Sequence, residues 1–175
     1  SRDPAVDNQA GTIPIDGAQS VTQSGVGDYD LTLFYWELAD GLSGSQTFRF
    51  VAAGGTVLRA AAGVIVYDGM ATGAPEVSVE ATEYDGGATS VTDAITTVAA
   101  NAVIFTGVMT GGSGQTAPKY TADNGQTERA DLVEDGMVGF AFGDLVKASP
   151  GAQTMGWSFA STPCGIQILA SFAPS

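Results

Sequence analysis

The residue types that most often carry enzyme chemistry are scarce in this chain. It contains no histidine and a single cysteine, Cys164. Histidine is the most common general base and transition-metal ligand, so Ser-His-Asp, Cys-His and histidine-based zinc sites are excluded. Cys164 opens the apolar segment 164–169, where a buried, inert thiol is expected, and a lone cysteine cannot form a disulfide within the chain. These features predict that the protein is not an enzyme.

Carboxylates are the remaining candidates for chemistry. Four acidic turns could supply oxygen ligands to calcium, at residues 28–30, 84–86, 123–125 and 134–136. Calcium needs about six to eight oxygens, and none of these segments has the spacing of a calcium loop, so a site would have to combine separate loops. Paired carboxylates could also hydrolyse glycosides, but 19 Asp and Glu residues single out no pair. Solvated turns are the simpler interpretation, and no catalytic, cofactor-binding or metal-binding residue is assigned.

Glycine and aromatic residues offer two further binding hypotheses. None of the 24 glycines lies in the strand–loop–helix context, with its lysine, that a phosphate loop requires, so tight turns are expected. Stacking on sugar rings is an alternative use of the aromatic residues Tyr29, Tyr35, Trp36, Tyr120 and Trp157. The two tryptophans lie inside apolar segments, which favours core packing.

The net charge narrows the set of partners. With 19 acidic and 6 basic residues, the chain carries a formal charge of −13. That charge repels a nucleic-acid backbone and an anionic membrane surface, so neither partner is predicted. No apolar run approaches the length of a membrane span, and the polar segment 1–9 lacks the hydrophobic core of a signal peptide.

Elements of β type must position these residues. Residues 1–28, punctuated by proline and glycine, are predicted to form an extended N-terminal arm, and residues 29–175 a single sandwich domain. The fold class predicted is all-β, an antiparallel β-sandwich of jelly-roll-like type, because short strands alternate with turns and long helices are absent. The predicted strands cover residues 31–36, 45–51, 57–67, 77–82, 90–98, 102–108, 127–132, 137–142, 153–160 and 165–172.

Two expectations concern assembly. The arm has few apolar residues, so it is expected to order against a partner chain rather than its own core. Three segments, 60–65, 138–142 and 166–170, carry small or apolar residues on both faces. A sandwich buries one face of each strand, so these segments predict a homo-oligomer. The alternative is that loops of the same chain cover the central strands on both sides.

Four stretches resemble a group of β-sandwich proteins that are common in structural gene clusters of tailed phages and prophages. The first is Tyr35–Gly41 with Gln46–Phe50, and the second is Ala60–Gly69 followed by the turn Gly73–Pro75. The third, Thr127–Asp131, is similar to a Gly-Trp-Thr-Glu-Arg-Ala signature, except that Gln126 stands where that group usually has tryptophan. The fourth joins Gly151–Ala152 to Trp157–Ser158 and the final segment 166–174.

The resemblance covers roughly residues 30–174 and implies a virion protein that attaches to a capsid or tail, as a decoration protein, head fibre or tail module. It brings no catalytic residues. Its implied partners are other virion proteins and copies of itself, with a trimer favoured because trimers suit sandwich domains on virion surfaces, and a host surface glycan is a further candidate. A carbohydrate- or cell-surface-binding module is the alternative function, and a carboxylate-dependent glycosidase is a third.

Overall fold

The computed structural model describes residues 4–8, 19–24, 30–35, 48–52, 61–83, 87–111, 120–134, 138–162 and 164–175. These residues form twelve strands and no helix, so none of them forms a helix able to cross a membrane. The all-β prediction is therefore confirmed. The strands are β1 Pro4–Asn8, β2 Gln19–Ser24, β3 Asp30–Tyr35, β4 Phe48–Ala52, β5 Val77–Glu83, β6 Ala88–Thr97, β7 Ala102–Gly111, β8 Thr121–Asp123, β9 Thr127–Glu134, β10 Val138–Lys147, β11 Gly151–Thr162 and β12 Cys164–Phe172.

Six of the last eight strands are paired in a nested order: β5 pairs with β12, β6 with β11 and β7 with β10, all antiparallel. They form a five-stranded sheet of order β5-β12-β7-β10-β9 and a three-stranded sheet of order β6-β11-β8. The innermost strands, β8 and β9, follow each other in the chain but lie in different sheets, where they pair with β11 and β10. This connectivity is jelly-roll-like, and the two antiparallel sheets pack against each other, so the predicted β-sandwich is confirmed.

The core between the two sheets follows the two-residue alternation of the strands. In β11, Met155, Trp157 and Phe159 are buried while Thr154 and Ala160 are exposed. The largest of these side chains, Trp157, is completely buried, so the core packing predicted for it is confirmed.

Most of the polar side-chain atoms within this core have partners of their own, and the exception is the buried Oε1 of Gln167, which has none among the described residues. Trp157 Nε1 donates to Thr106 Oγ1 at 2.9 Å, and Gln167 Nε2 donates to the same oxygen at 3.1 Å. The hydroxyls of Tyr120 and Thr110 are hydrogen-bonded to each other. These bonds lower the cost of burying a tryptophan N–H and three hydroxyls between the sheets.

The face of the five-stranded sheet that points away from the three-stranded sheet, here called the outer face, is partly covered by the same chain. Leu31 of β3 packs against Met109 of β7 and Ile166 and Ile168 of β12. The second apolar face of segment 166–170 is therefore covered within the chain, by a strand where the alternative interpretation expected loops. The homo-oligomer remains a prediction, but this segment no longer provides a reason for it.

The N-terminal region differs from the extended arm that its composition suggests. β1 pairs with β4, and β2 pairs with β3, both antiparallel and within the chain. The expected boundary at residue 28 therefore falls inside a hairpin, and both described strands of the arm have partners in their own chain. The discrepancy has a simple cause: a ladder is made by backbone groups, so polar segments such as 4–8 and 19–24 can pair without many apolar side chains.

The predicted strand at 57–67 is also corrected. Residues 61–67 lie outside any strand and run over the outer face beside β10. β10 is already paired with β7 on one edge and β9 on the other, so it offers no free ladder to a further segment. Trp36, Tyr29, the apolar stretch 13–15 and most of the turns at 84–86 and 134–136 lie outside the described residues.

Candidate functional site

On the outer face, a buried carboxylate and the two side chains that donate hydrogen bonds to it come from three separate segments of the chain. Asp144 of β10, only 4% exposed, accepts a hydrogen bond from the Tyr67 hydroxyl. Arg129 of β9 donates to it through Nε, at 2.5 Å from Oδ2, and through Nη2, at 3.0 Å from Oδ1. A bidentate arginine–carboxylate contact of this kind fixes both the position and the orientation of the two side chains. These three residues are called the Asp144 latch below.

A β-bulge brings Arg129 to this site. In the β9–β10 ladder, Ala130 lies opposite Phe142 while Glu128 lies opposite Gly143, so Arg129 is an extra residue in β9. A bulge re-aims the side chain at its position, which here carries the guanidinium to the face that holds Asp144. The bulge also requires Gly143, because a Cβ atom there would lie 2.5 Å from the Thr127 carbonyl oxygen.

Residues 61–67, called the strap below, bring Tyr67 to the same point. The Tyr67 ring packs edge-on against Phe105 of β7, with ring centroids 4.7 Å apart and planes at 90°. Earlier in the strap, a Cβ atom at Gly63 would overlap the Phe142 ring, so glycine is required for the strap backbone to lie this close to β10. Ile65 is half-buried, whereas Val64 and Val66 are exposed on the opposite side of the strap.

The protonation properties of the latch indicate a structural role. Burial raises the pKa of Tyr67, and the hydrogen bond and negative charge of Asp144 raise it further, so the hydroxyl keeps its proton and donates it. The hydrogen bond with Asp144 also raises the pKa of Arg129. Neither donor can release a proton near neutral pH, and both oxygens of Asp144 already accept hydrogen bonds. This arrangement holds the strap, β9 and β10 together at one point.

Gln126, at the position where the resembling group usually has tryptophan, is buried and polar. Its Nε2 donates to the carbonyl oxygen of Gly156 in β11 at 2.5 Å. Gln126, which precedes β9, is thus joined by its side chain to β11 at Gly156, the residue that pairs with Asp123 of β8.

The three-stranded sheet presents a second feature on the side that faces away from the core. Its residues are small, and Asp123 is the one ionisable side chain among them. The set, called the neutral face below, comprises Ser90, Thr92, Ala94, Thr96, Thr121, Asp123, Ala152, Thr154, Gly156, Ser158 and Ala160. Asp123 itself accepts a hydrogen bond from Ser158 Oγ at 2.7 Å. The face is nearly uncharged although the chain carries a formal charge of −13.

Close packing keeps the neutral face flat. Gly156 lies beside Thr92 in the ladder, and a Cβ atom on it would lie 2.5 Å from Thr92 Cγ2. The threonine methyl group therefore occupies the space above the glycine, and no long side chain rises from the described residues of this face.

The residues that the sequence offered for chemistry do not gather at either feature. Asp123–Gly125 forms the turn between β8 and β9, where Asn124 and Gly125 both have positive φ, at 61° and 82°. In the part of the chain that the structure describes, no three potential metal-ligating side chains cluster. Sequence reasoning missed Asp144, although a lone aspartate in the apolar run 138–146 is a usable signal for a paired, buried charge.

Comparison with known proteins adds nothing to this geometry. No family model matches the chain, and neither a curated protein nor a solved structure matches it significantly.

Proposed function

We propose that this chain is a non-enzymatic virion structural protein, a decoration or fibre component that attaches to a capsid or tail through its neutral face. The carrying observation is the exposed Ser/Thr/Ala/Gly surface of the three-stranded sheet, with Asp123 as its one ionisable residue. The mechanism is surface complementarity rather than catalysis.

Charge explains why this face is the best suited to association. A chain with a charge of −13 repels other acidic surfaces, and each charge buried at an interface must be paired or desolvated at a cost. The neutral face limits both costs to the single carboxylate of Asp123, which already accepts a hydrogen bond from Ser158. Its short side chains also lose little rotamer entropy on docking, because serine, threonine and alanine have few side-chain torsions to fix.

The size of the face favours attachment in many copies. Its strands comprise 25 residues, 10 in β6, 3 in β8 and 12 in β11. At about 16 Å² of sheet per residue, they cover roughly 400 Å². That is about half of what one partner contributes to a standard stable interface. One face would therefore bind weakly, whereas several faces on a homo-oligomer, engaging a repetitive particle surface, would gain avidity.

The fold and the latch support the same function less specifically. Jelly rolls occur in viral capsid proteins and in lectins, so the fold alone does not distinguish the two leading hypotheses. Tyr67 and Arg129, which come from two of the phage-like stretches, meet at Asp144 in a structural contact. The carbohydrate-binding alternative is less well supported, because Trp157 and Tyr120 are buried in the core and cannot stack on a sugar ring.

The proposal is tested with virus particles from the cells that encode the chain. Particles are purified by density gradient and analysed by quantitative mass spectrometry. A virion protein is expected to co-sediment at a fixed copy number relative to the major capsid protein. Its absence from infectious particles would refute the proposal.

A further inference from the structure

We propose that the strap, residues 61–67, is a releasable cover that opens while the sandwich stays folded, and that the Asp144 latch holds it closed. This inference does not depend on the proposed function, since it concerns only how the strap is held on the outer face.

The backbone of the strap contributes little to holding it in place. Between the described residues, no backbone hydrogen bond joins residues 61–67 to the sheet. Each neighbouring strand of the five-stranded sheet is, by contrast, bound along its length by ladder bonds. Segments with few backbone bonds and exposed residues open at a low free-energy cost compared with global unfolding.

Side chains therefore decide whether the strap is closed. Its anchors are the Tyr67 hydroxyl on Asp144, the Tyr67 ring on Phe105 and the close contact of Gly63 with Phe142. Val66 on the opposite side is 63% exposed and adds little apolar burial. Of these anchors, the hydrogen bond to a charged group is the strongest single polar contact.

The end of the strap is tied down just beyond Tyr67. The Ser175 amide donates to the Gly69 carbonyl oxygen, and the Ala71 amide donates to the Ala173 carbonyl oxygen, both at 2.9 Å. Gly69 has a φ of 72°, a conformation that glycine adopts without strain. Residues 69–71 thus stay attached to the C-terminal segment, and the strap can move by rotation of the backbone between residues 68 and 69.

The Arg129–Asp144 pair of the latch remains intact when the strap opens. Arg129 and Asp144 lie on paired strands of the same sheet, and their bidentate contact does not involve the strap. Opening would expose the rings of Phe105 and Phe142 beside an intact ion pair, and closing requires only that the Tyr67 hydroxyl return to Asp144. The cover is therefore reversible.

Native-state proteolysis with thermolysin tests the proposal. Thermolysin cleaves before large apolar residues, so the bonds preceding Val64, Ile65 and Val66 report on strap opening, with initial rates followed by mass spectrometry. The substitution Tyr67→Phe keeps the ring and removes only the hydroxyl. We expect it to raise cleavage at these bonds about tenfold or more.

The control is Ile95→Val, a substitution in the core between the sheets, on the opposite side of the five-stranded sheet from the strap. It should lower the global stability, measured by urea unfolding, and leave strap cleavage unchanged. If strap cleavage instead followed global stability in both variants, or if Tyr67→Phe left it unaltered, the strap would not be a separately opening unit held by the latch.

Discussion

Asp144 is a carboxylate within the apolar run of β10, and its three hydrogen bonds explain how it tolerates burial. Both oxygens are engaged by Arg129, and one also accepts from Tyr67. The partner guanidinium remains 45% exposed, so only one of the two charges is fully removed from water. A half-buried pair of this kind is destabilised most when the buried member loses its partner, because a buried charge is then left uncompensated.

The first prediction is that Asp144→Ala lowers the free energy of unfolding by about 2–3 kcal/mol, because three hydrogen bonds disappear and the Tyr67 hydroxyl loses its acceptor. Urea unfolding followed by circular dichroism measures this. Glu128→Ala is the control, since Glu128 is an exposed neighbour of Arg129 and its removal should change stability by less than about 0.5 kcal/mol. Equal effects of the two substitutions would show that the latch contributes nothing to stability.

Residue-level features were only partly predictable from the sequence. Trp157 could be placed in the core because it lies among alternating apolar residues. The latch could not be predicted, since Tyr67, Arg129 and Asp144 are far apart in the chain and only the sheet topology brings them together. Arg129 also reaches the outer face through a bulge, which alternation alone would not reveal.

At the scale of elements, the bulge in β9 is the feature that builds the site. It depends on Gly143, whose missing side chain leaves room for the Thr127 carbonyl oxygen and for the Trp157 ring, 3.4 Å from an added Cβ atom. The strap depends in the same way on Gly63. Alternating apolar residues predict most of the strands correctly. They also predict a strand at residues 61–67, where the residues alternate in exposure but have no ladder partner.

The second prediction follows from Gly143. Gly143→Ala should destabilise the protein by about 2–3 kcal/mol, because a backbone carbonyl cannot move aside as a flexible side chain can. Gly107→Ala is the matched control on the adjacent strand, where the nearest atom to an added Cβ, Ile168 Cγ2, is at an ordinary 3.5 Å. Thermal unfolding of both variants should show a large fall in Tm for the first and little change for the second. A similar Tm for the two would contradict the role given to the bulge.

At the scale of the whole molecule, Glu76 joins the two sheets at one end of the sandwich. Its carboxylate accepts from the amides of Val98 at 3.2 Å and Ala99 at 2.9 Å, which follow β6 of the three-stranded sheet. It also accepts from Ser171 Oγ of β12 at 2.6 Å. Burial raises the pKa of Glu76, but the hydrogen bonds from Ser171, Ala99 and Val98 outweigh burial and lower it overall.

The third prediction is a pH dependence of stability due to this clamp. Because the folded pKa of Glu76 lies below its unfolded value, the carboxylate stabilises the fold at pH values above the unfolded pKa. This contribution is lost as the pH falls through the folded pKa. Glu76→Gln should therefore be less stable than the wild type at pH 7, by on the order of 1 kcal/mol. Urea unfolding between pH 3 and pH 7 should show the difference shrink towards the acidic end, and a difference independent of pH would contradict it.

Attachment through the neutral face can be measured by adding purified protein to particles that lack it. Thr154→Glu places a charge on the exposed surface of β11, and Thr72→Glu places the same charge in an exposed loop outside the three-stranded sheet. Bound protein is quantified after gradient sedimentation, with Tm measured to confirm that both variants fold. We expect wild type and Thr72→Glu to bind alike, while binding of Thr154→Glu falls at least tenfold. Equal binding by all three proteins would show that the protein does not attach through the neutral face.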